Sequence, residues 1–212
     1  MAHAHRDIAA EVVGTYGETF AEQARITLKD TPSPLFRLLV LAMLLSTRIS
    51  ADIAVAAARE LSSAGYRTPQ KMGAASWQHR VDALGRGHYR RYDESTATRL
   101  GDAATLVIDE YGGDLRRLRD AARDADEVLE RLQEFPGIGP TGAAIFVREV
   151  QGVWPQVAPF FDEKTLDGAE RVGLPRSPER LAELVDTPDL PRLAAGLVRI
   201  ALDRSHRHLL RD

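Results

Sequence analysis

Between Phe135 and Ala144 the chain reads FPGIGPTGAA, with two prolines and three glycines between segments of helical pattern. A helix ending near Phe135, a turn Pro136-Gly137-Ile138-Gly139 and a helix opened by Pro140 make a helix–hairpin–helix corner. Glycine lets the backbone take positive φ or admit another molecule closely, and proline suits the first helical turn, where an N–H has no partner. Gly137, Gly139, Thr141 and Gly142 therefore flank unpaired N–H groups with few side chains in the way, while Ile138 plugs the core. Backbone N–H groups and the helix dipole both favour an anion, so the corner suits a phosphate. A plain packing corner is the competing reading.

Basic groups gather in GRGHYRRY, where Arg86, His88, Arg90 and Arg91 interleave with Tyr89 and Tyr92, and again at Arg116, Arg117, Arg119 and Arg123. Either cluster can meet a polyanion, and either can be a solvated helix face. With a formal net charge of −3, bulk electrostatics would not hold a nucleic acid, so local distribution must. Asp162 precedes EKTLDGAERVG, where an aspartate is a good N-cap.

These groups need a scaffold, and the pattern is almost wholly helical. Alanine and leucine dominate and period-2 alternation is scarce, which predicts an all-α chain. Helices are expected at 7–25, from Pro34 to Leu45, and from the N-cap Ser50 to a stop at Gly65. Others are expected at 69–74, 76–84, 93–111, 114–121, 125–134, 140–151, from Asp162 to a stop at Gly173 and Pro175, 177–186 and 190–210. VWPQVAPFF is expected to run extended, and the prolines at 31–34 and 153–159 mark candidate domain crossings. The absence of cysteine excludes disulfides, thiol nucleophiles and cysteine-held zinc or iron–sulfur clusters. MAHAHRDIAAEVVGTYG lacks the apolar run of a signal peptide, and LLVLAMLL is too short to span a bilayer. The expectation is a soluble, cytoplasmic protein with no membrane partner.

The hairpin and the aspartate together resemble the endonuclease III superfamily of helix–hairpin–helix DNA glycosylases, whose typical corner is LPGVGxKTA. That family continues with a GWP-like turn, a catalytic aspartate and a helix ending RLGL, and this chain reads VWPQVAPFFDEKTLDGAERVGLP. LLVLAMLLSTRISAD is similar to the family's LLSxQTxD junction, and ALGRGHYRRYDESTATRLGDAA to its glycine-bearing loop, so the likeness spans residues 34–175. It implies a two-lobed fold, 30–135 against 1–29 plus 136–212, acting as a monomer on double-stranded DNA. It makes Asp162 the carboxylate that stabilises positive charge on the deoxyribose or activates water. Phe160, Phe161 and Trp154 become walls for an extruded base. Arg48 falls at or near the glutamine that fills the vacated space, and Arg86, His88, Arg90 and Arg91 become phosphate contacts.

The departures are as informative. Thr141 stands where lyase members carry a lysine, and a hydroxyl cannot form the Schiff base that strand cleavage requires. No cysteine is present for a cluster, so no metal or other cofactor is expected, and 176–212 must pack by apolar contacts. Two extra residues separate Trp154 from Asp162. The expected activity is a monofunctional DNA repair glycosylase. The alternatives are a non-catalytic DNA binder and a glycosylase/lyase using another amine such as Lys164.

Overall fold

The computed structural model describes residues 2–203, and among them every regular element is helical. In chain order these are α1 (Ala2–Tyr16), α2 (Phe20–Gln23), α3 (Pro32–Leu45), α4 (Ala51–Ser63), α5 (Pro69–Ala74), α6 (Trp77–Arg86) and α7 (Asp93–Tyr111). There follow α8 (Arg116–Ala121), α9 (Ala125–Leu132), α10 (Pro140–Val150), α11 (Glu163–Arg171), α12 (Pro178–Ala182) and α13 (Leu190–Leu202). The chain forms two compact units. A central unit comprises Phe20–Phe146, and a terminal unit joins Met1–Thr19 to Val147–Asp212. The chain passes from one to the other inside α10.

The central unit is built on α3, whose side chains at Leu35, Phe36 and from Leu38 to Leu44 are buried all round the helix. A helix apolar on every side belongs inside a core, where each leucine contributes about 2 kcal/mol relative to exposure. It packs on α4, while α5 and α6 pack on α7. Side-chain caps set several starts: Thr68, Ser76 and Asp124 each accept an N–H from the third residue of the helix that follows. Arg80 is a structural cation, donating from Nε to Ala97 O (2.8 Å) and from a terminal nitrogen to Met72 O (3.0 Å) and Ala75 O (2.9 Å). Those bonds tie α6 to α5 and α7.

In the terminal unit α13 packs on α11 and α1 around Val12, Phe161, Leu166, Leu193 and Leu197. Arg199 on α13 donates to Tyr16 O at the end of α1 (2.6 Å), a site where a cation also complements the helix dipole.

Several sequence-based boundaries shift. The helix expected at 7–25 begins at Ala2 and is interrupted after Tyr16, α2 starting afresh at Phe20. Helix α3 starts at Pro32, because Thr31 is extended and proline suits the first turn. The helix expected at 125–134 stops at Leu132, and that at 177–186 is the shorter α12. VWPQVAPFF is not extended throughout: Pro155–Val157 closes a 3₁₀ turn. Residues 204–210 of the last expected helix lie outside the described residues.

Candidate functional site

The glycine-rich corner joins α9 to α10. Phe135 N donates to Leu132 O (3.3 Å) and Ile138 N to Phe135 O (3.0 Å), so the loop folds back tightly on the end of α9. Gly137 has φ +89°, which L side chains rarely adopt. The Phe135 ring stacks on Tyr111 and Ile138 is buried, which pins the loop from beneath. Gly137, Gly139 and Thr141 are exposed and Gly142 is buried. The first N–H groups of α10 have no carbonyl of their own helix to bond, so the exposed loop keeps the character of an anion nest.

The end of α3 connects this corner to the basic loop. Ser46 Oγ shares its proton between Met43 O (2.8 Å) and the hairpin's Gly137 O (3.2 Å). One residue on, Thr47 Oγ1 and Tyr89 OH lie 2.8 Å apart in a hydrogen bond. Arg48 follows and is exposed. Tyr89 is fully buried, an anchor for the 87–92 loop. Gly87 fits against the α4 backbone, where a Cβ would come 2.4 Å from Ala57 Cα, and His88 takes a positive φ of 63°. The loop therefore turns outward with His88, Arg90 and Arg91 exposed. A groove of about 740 Å³ lies along it, lined by Asp82, Arg86, His88, Arg90 and Asp93 among others.

Ion pairing sorts the arginines. Arg86 is paired with Glu60 (3.2 Å). Arg116 pairs with Asp114, Arg119 with Asp30 and Asp120, and Arg123 and Arg131 with Glu127. Arg48, Arg90 and Arg91 have no carboxylate partner among the described residues, and Arg91 instead lies over the Tyr92 ring. Arg99, which sequence reasoning missed, lies across the hairpin: a Cβ on Gly137 would fall 2.8 Å from its Cδ. It too has no carboxylate partner among the described residues.

Asp162 lies in the terminal unit as the N-cap of α11. Its Oδ1 accepts from Thr165 N (3.0 Å), and Thr165 Oγ1 donates back to Asp162 O (2.6 Å). Its Oδ2 lies 3.7 Å from Arg148 Nε, with the two side chains 21% and 11% exposed. Burial lowers the Arg148 pKa, and the charges of Asp162 and then Glu149 oppose that shift. The approach to Asp162 is fixed by buried Gln151, which accepts from Phe160 N (2.9 Å) and donates to Phe160 O (3.0 Å) and Arg148 O (3.0 Å). Trp154 is fully buried and Phe161 nearly so, both as core side chains; of the three expected base-pocket aromatics, only Phe160 is part-exposed. Lys164 is exposed, 3.5 Å from Asp167.

Arg148 and Gln151 were also missed from the sequence. Arg148 sits with Glu149 in the otherwise apolar run IFVREV, and a charge buried in such a run is itself a signal that counter-charges lie nearby.

No family model matches the chain, and neither does any curated protein. Solved structures do match. A trapped covalent intermediate of endonuclease III with DNA, in an estranged-adenine complex, superposes with a TM-score of 0.53 at 18% identity, over 93% of this chain and 84% of that one. A non-covalent endonuclease III–DNA complex gives 0.56 at 17% identity with the same coverage. The chain thus has an all-α, endonuclease III-like fold, as the hairpin implied.

Proposed function

We propose that this protein is a DNA repair glycosylase that binds double-stranded DNA, turns a damaged or mispaired base out of the helix and hydrolyses its N-glycosidic bond without cutting the strand. The observation that carries the reading is the junction Ser46-Thr47-Arg48. Through Ser46 it touches the hairpin, through Thr47 the basic loop, and around it stand the arginines that no carboxylate among the described residues neutralises. A backbone nest flanked by unpaired guanidinium groups suits successive phosphates of a strand, and on this reading the exposed Arg48 enters the duplex where a base has left.

Asp162 supplies the chemistry. As the C1′–N bond breaks, its electron pair departs with the base, which takes up a proton, and positive charge grows on the sugar. A fixed carboxylate beside C1′ lowers that barrier, and water then forms the new C1′–O bond and releases a proton, replacing the one that the departing base took up. Phe160 is the aromatic left to meet the base. With Thr141 at the lysine position the hairpin offers no amine to open the sugar by β-elimination. The iron–sulfur cluster of many endonuclease III relatives does not fit this chain, which has no cysteine. The same reading has the protein act as a cytoplasmic monomer; among the described residues no helix is long and apolar enough to cross a membrane.

One observation favours a second reading, a DNA binder without chemistry: both Asp162 oxygens already face partners. Duplexes bearing alkylated, oxidised, deaminated or abasic sites distinguish the two. Strand breaks that appear only after hot alkali support the glycosylase. Breaks without alkali, with borohydride trapping, replace it with a lyase. Binding with no base release from any duplex leaves the binder.

A further inference from the structure

We propose that Arg148 is a positioning residue for Asp162: its buried guanidinium holds the carboxylate's charge in the free protein, and a cationic sugar must share that carboxylate with it. This rests on the reading that Asp162 meets the sugar.

Arg148 projects from α10, where Ala143, Ile145, Phe146, Val147 and Val150 are all buried, and so is the adjacent Glu149, whose negative charge acts on Arg148 after that of Asp162. A cation in such company is tolerated only with a compensating charge. Among the described residues the carboxylate it pairs with is Asp162, at 3.7 Å. That separation is too long for a hydrogen bond, so the contact is one of charge and can open without breaking directional geometry. Asp162 Oδ1 is committed to the α11 cap, which leaves Oδ2 as the oxygen Arg148 already holds. A second cation arriving there is attracted by the aspartate and repelled by Arg148, in surroundings drier than water, where both terms are enlarged. Arg148 thus fixes where the carboxylate points and tempers how strongly it draws positive charge. Gln151 keeps the two in register, because one amide bonds Arg148 O and both backbone groups of Phe160.

The test compares two duplexes identical except at one nucleotide. One carries a neutral tetrahydrofuran abasic analogue, the other a pyrrolidine analogue that is cationic at neutral pH. Dissociation constants are measured by fluorescence anisotropy for the parent, Arg148→Met, Arg148→Lys and Asp162→Asn, each checked for folding by circular dichroism. The parent should prefer the cationic duplex, and Asp162→Asn should bind both alike. Arg148→Met should raise the preference on the order of tenfold, as removal of a charge within a few ångströms requires, and Arg148→Lys should keep the parental ratio. If methionine is not tolerated, Arg148→Gln removes the same charge and is read in the same way. A merely structural arginine would weaken binding to both duplexes and leave their ratio unchanged; that result, with Asp162→Asn still abolishing the preference, overturns the proposal and leaves Asp162 its role. A lysine variant that behaves like methionine overturns the assignment to charge. Equal binding of both duplexes by the parent removes Asp162 from the sugar, and the proposal falls with it.

Discussion

Two arginine-rich segments that look alike in the sequence come out opposite in the fold. Around Arg116–Arg131 most guanidinium groups meet a carboxylate, and Glu127 alone holds two of them. Around Arg86–Arg91 only Arg86 is paired among the described residues, and Arg90, Arg91 and the nearby Arg48 are not. Arginine count therefore says little about which surface is free to meet a polyanion. What separates the segments is whether acids share the same helical turns. Asp114, Asp120 and Glu127 lie within four residues of the arginines they hold, whereas Arg90 and Arg91 lie on a loop turned outward by buried Tyr89. Neutralised cations release few counterions on binding DNA, and unpaired ones release one each.

The comparison breaks most readily at the unpaired set. Replacing Arg48, Arg90 and Arg91 together with alanine should weaken duplex binding by a hundredfold or more at low salt and reduce the slope of log K against log salt by roughly 0.9 for each phosphate left without its arginine. Arg116→Ala with Arg123→Ala should leave both nearly unchanged. Anisotropy titrations across a salt series check this, and equal effects in the two sets would erase the distinction. A smaller effect is expected at the hairpin. A Cβ at Gly139 meets nothing within 4 Å, so Gly139→Asp should fold normally while placing a negative charge beside the phosphate, weakening binding on the order of tenfold. Gly137→Asp is the poorer probe, since its φ of +89° and the Arg99 contact would add strain of their own. Unaltered affinity of a folded Gly139→Asp protein would mean that the corner packs and does not bind.

How much of this could be read from the chain depends on the range of each interaction. The hairpin, the cap at Asp162 and the helix end at Tyr111 are local chemistry, and each falls where its residues say. The all-α fold follows from the same local signals. The interruption after Tyr16 and the 3₁₀ turn at Pro155–Val157 were missed, because short apolar stretches with proline or glycine fit several backbones. The contacts that assemble the candidate site are long-range: Ser46 reaches 91 residues to Gly137, and Thr47 reaches 42 to Tyr89. No spacing rule foretells them. The aromatic pocket depends on packing for a related reason, since Trp154 and Phe161 are as suited to a core as to a base, and both are buried. Polar residues ending an apolar helix, as in LLSTR, and an arginine within IFVREV were the available hints.

The smallest effect lies in the neutralised segment and turns on pH. Hydrogen bonds from Arg123 and Arg131 hold the Glu127 carboxyl down at about 2, from an ordinary value of 4.5. A carboxylate depressed in the fold adds stability above its unfolded value and loses that contribution as pH falls through its folded one. Glu127 should therefore support α9 fully above pH 4.5 and progressively less toward pH 2. Glu127→Gln keeps a side-chain acceptor at that position but cannot titrate, so its melting temperature should fall less steeply than the parent's across that window, the other acids cancelling between the two proteins. Identical slopes would show that the ion pairs add nothing. The same variant releases Arg123 and Arg131 from their shared partner, and at low salt it should gain a slight, sequence-independent affinity for duplex DNA. If freeing two arginines from a carboxylate confers no such affinity, pairing is not what distinguishes the segments, and the outward turn of the 87–92 loop must account for the difference alone.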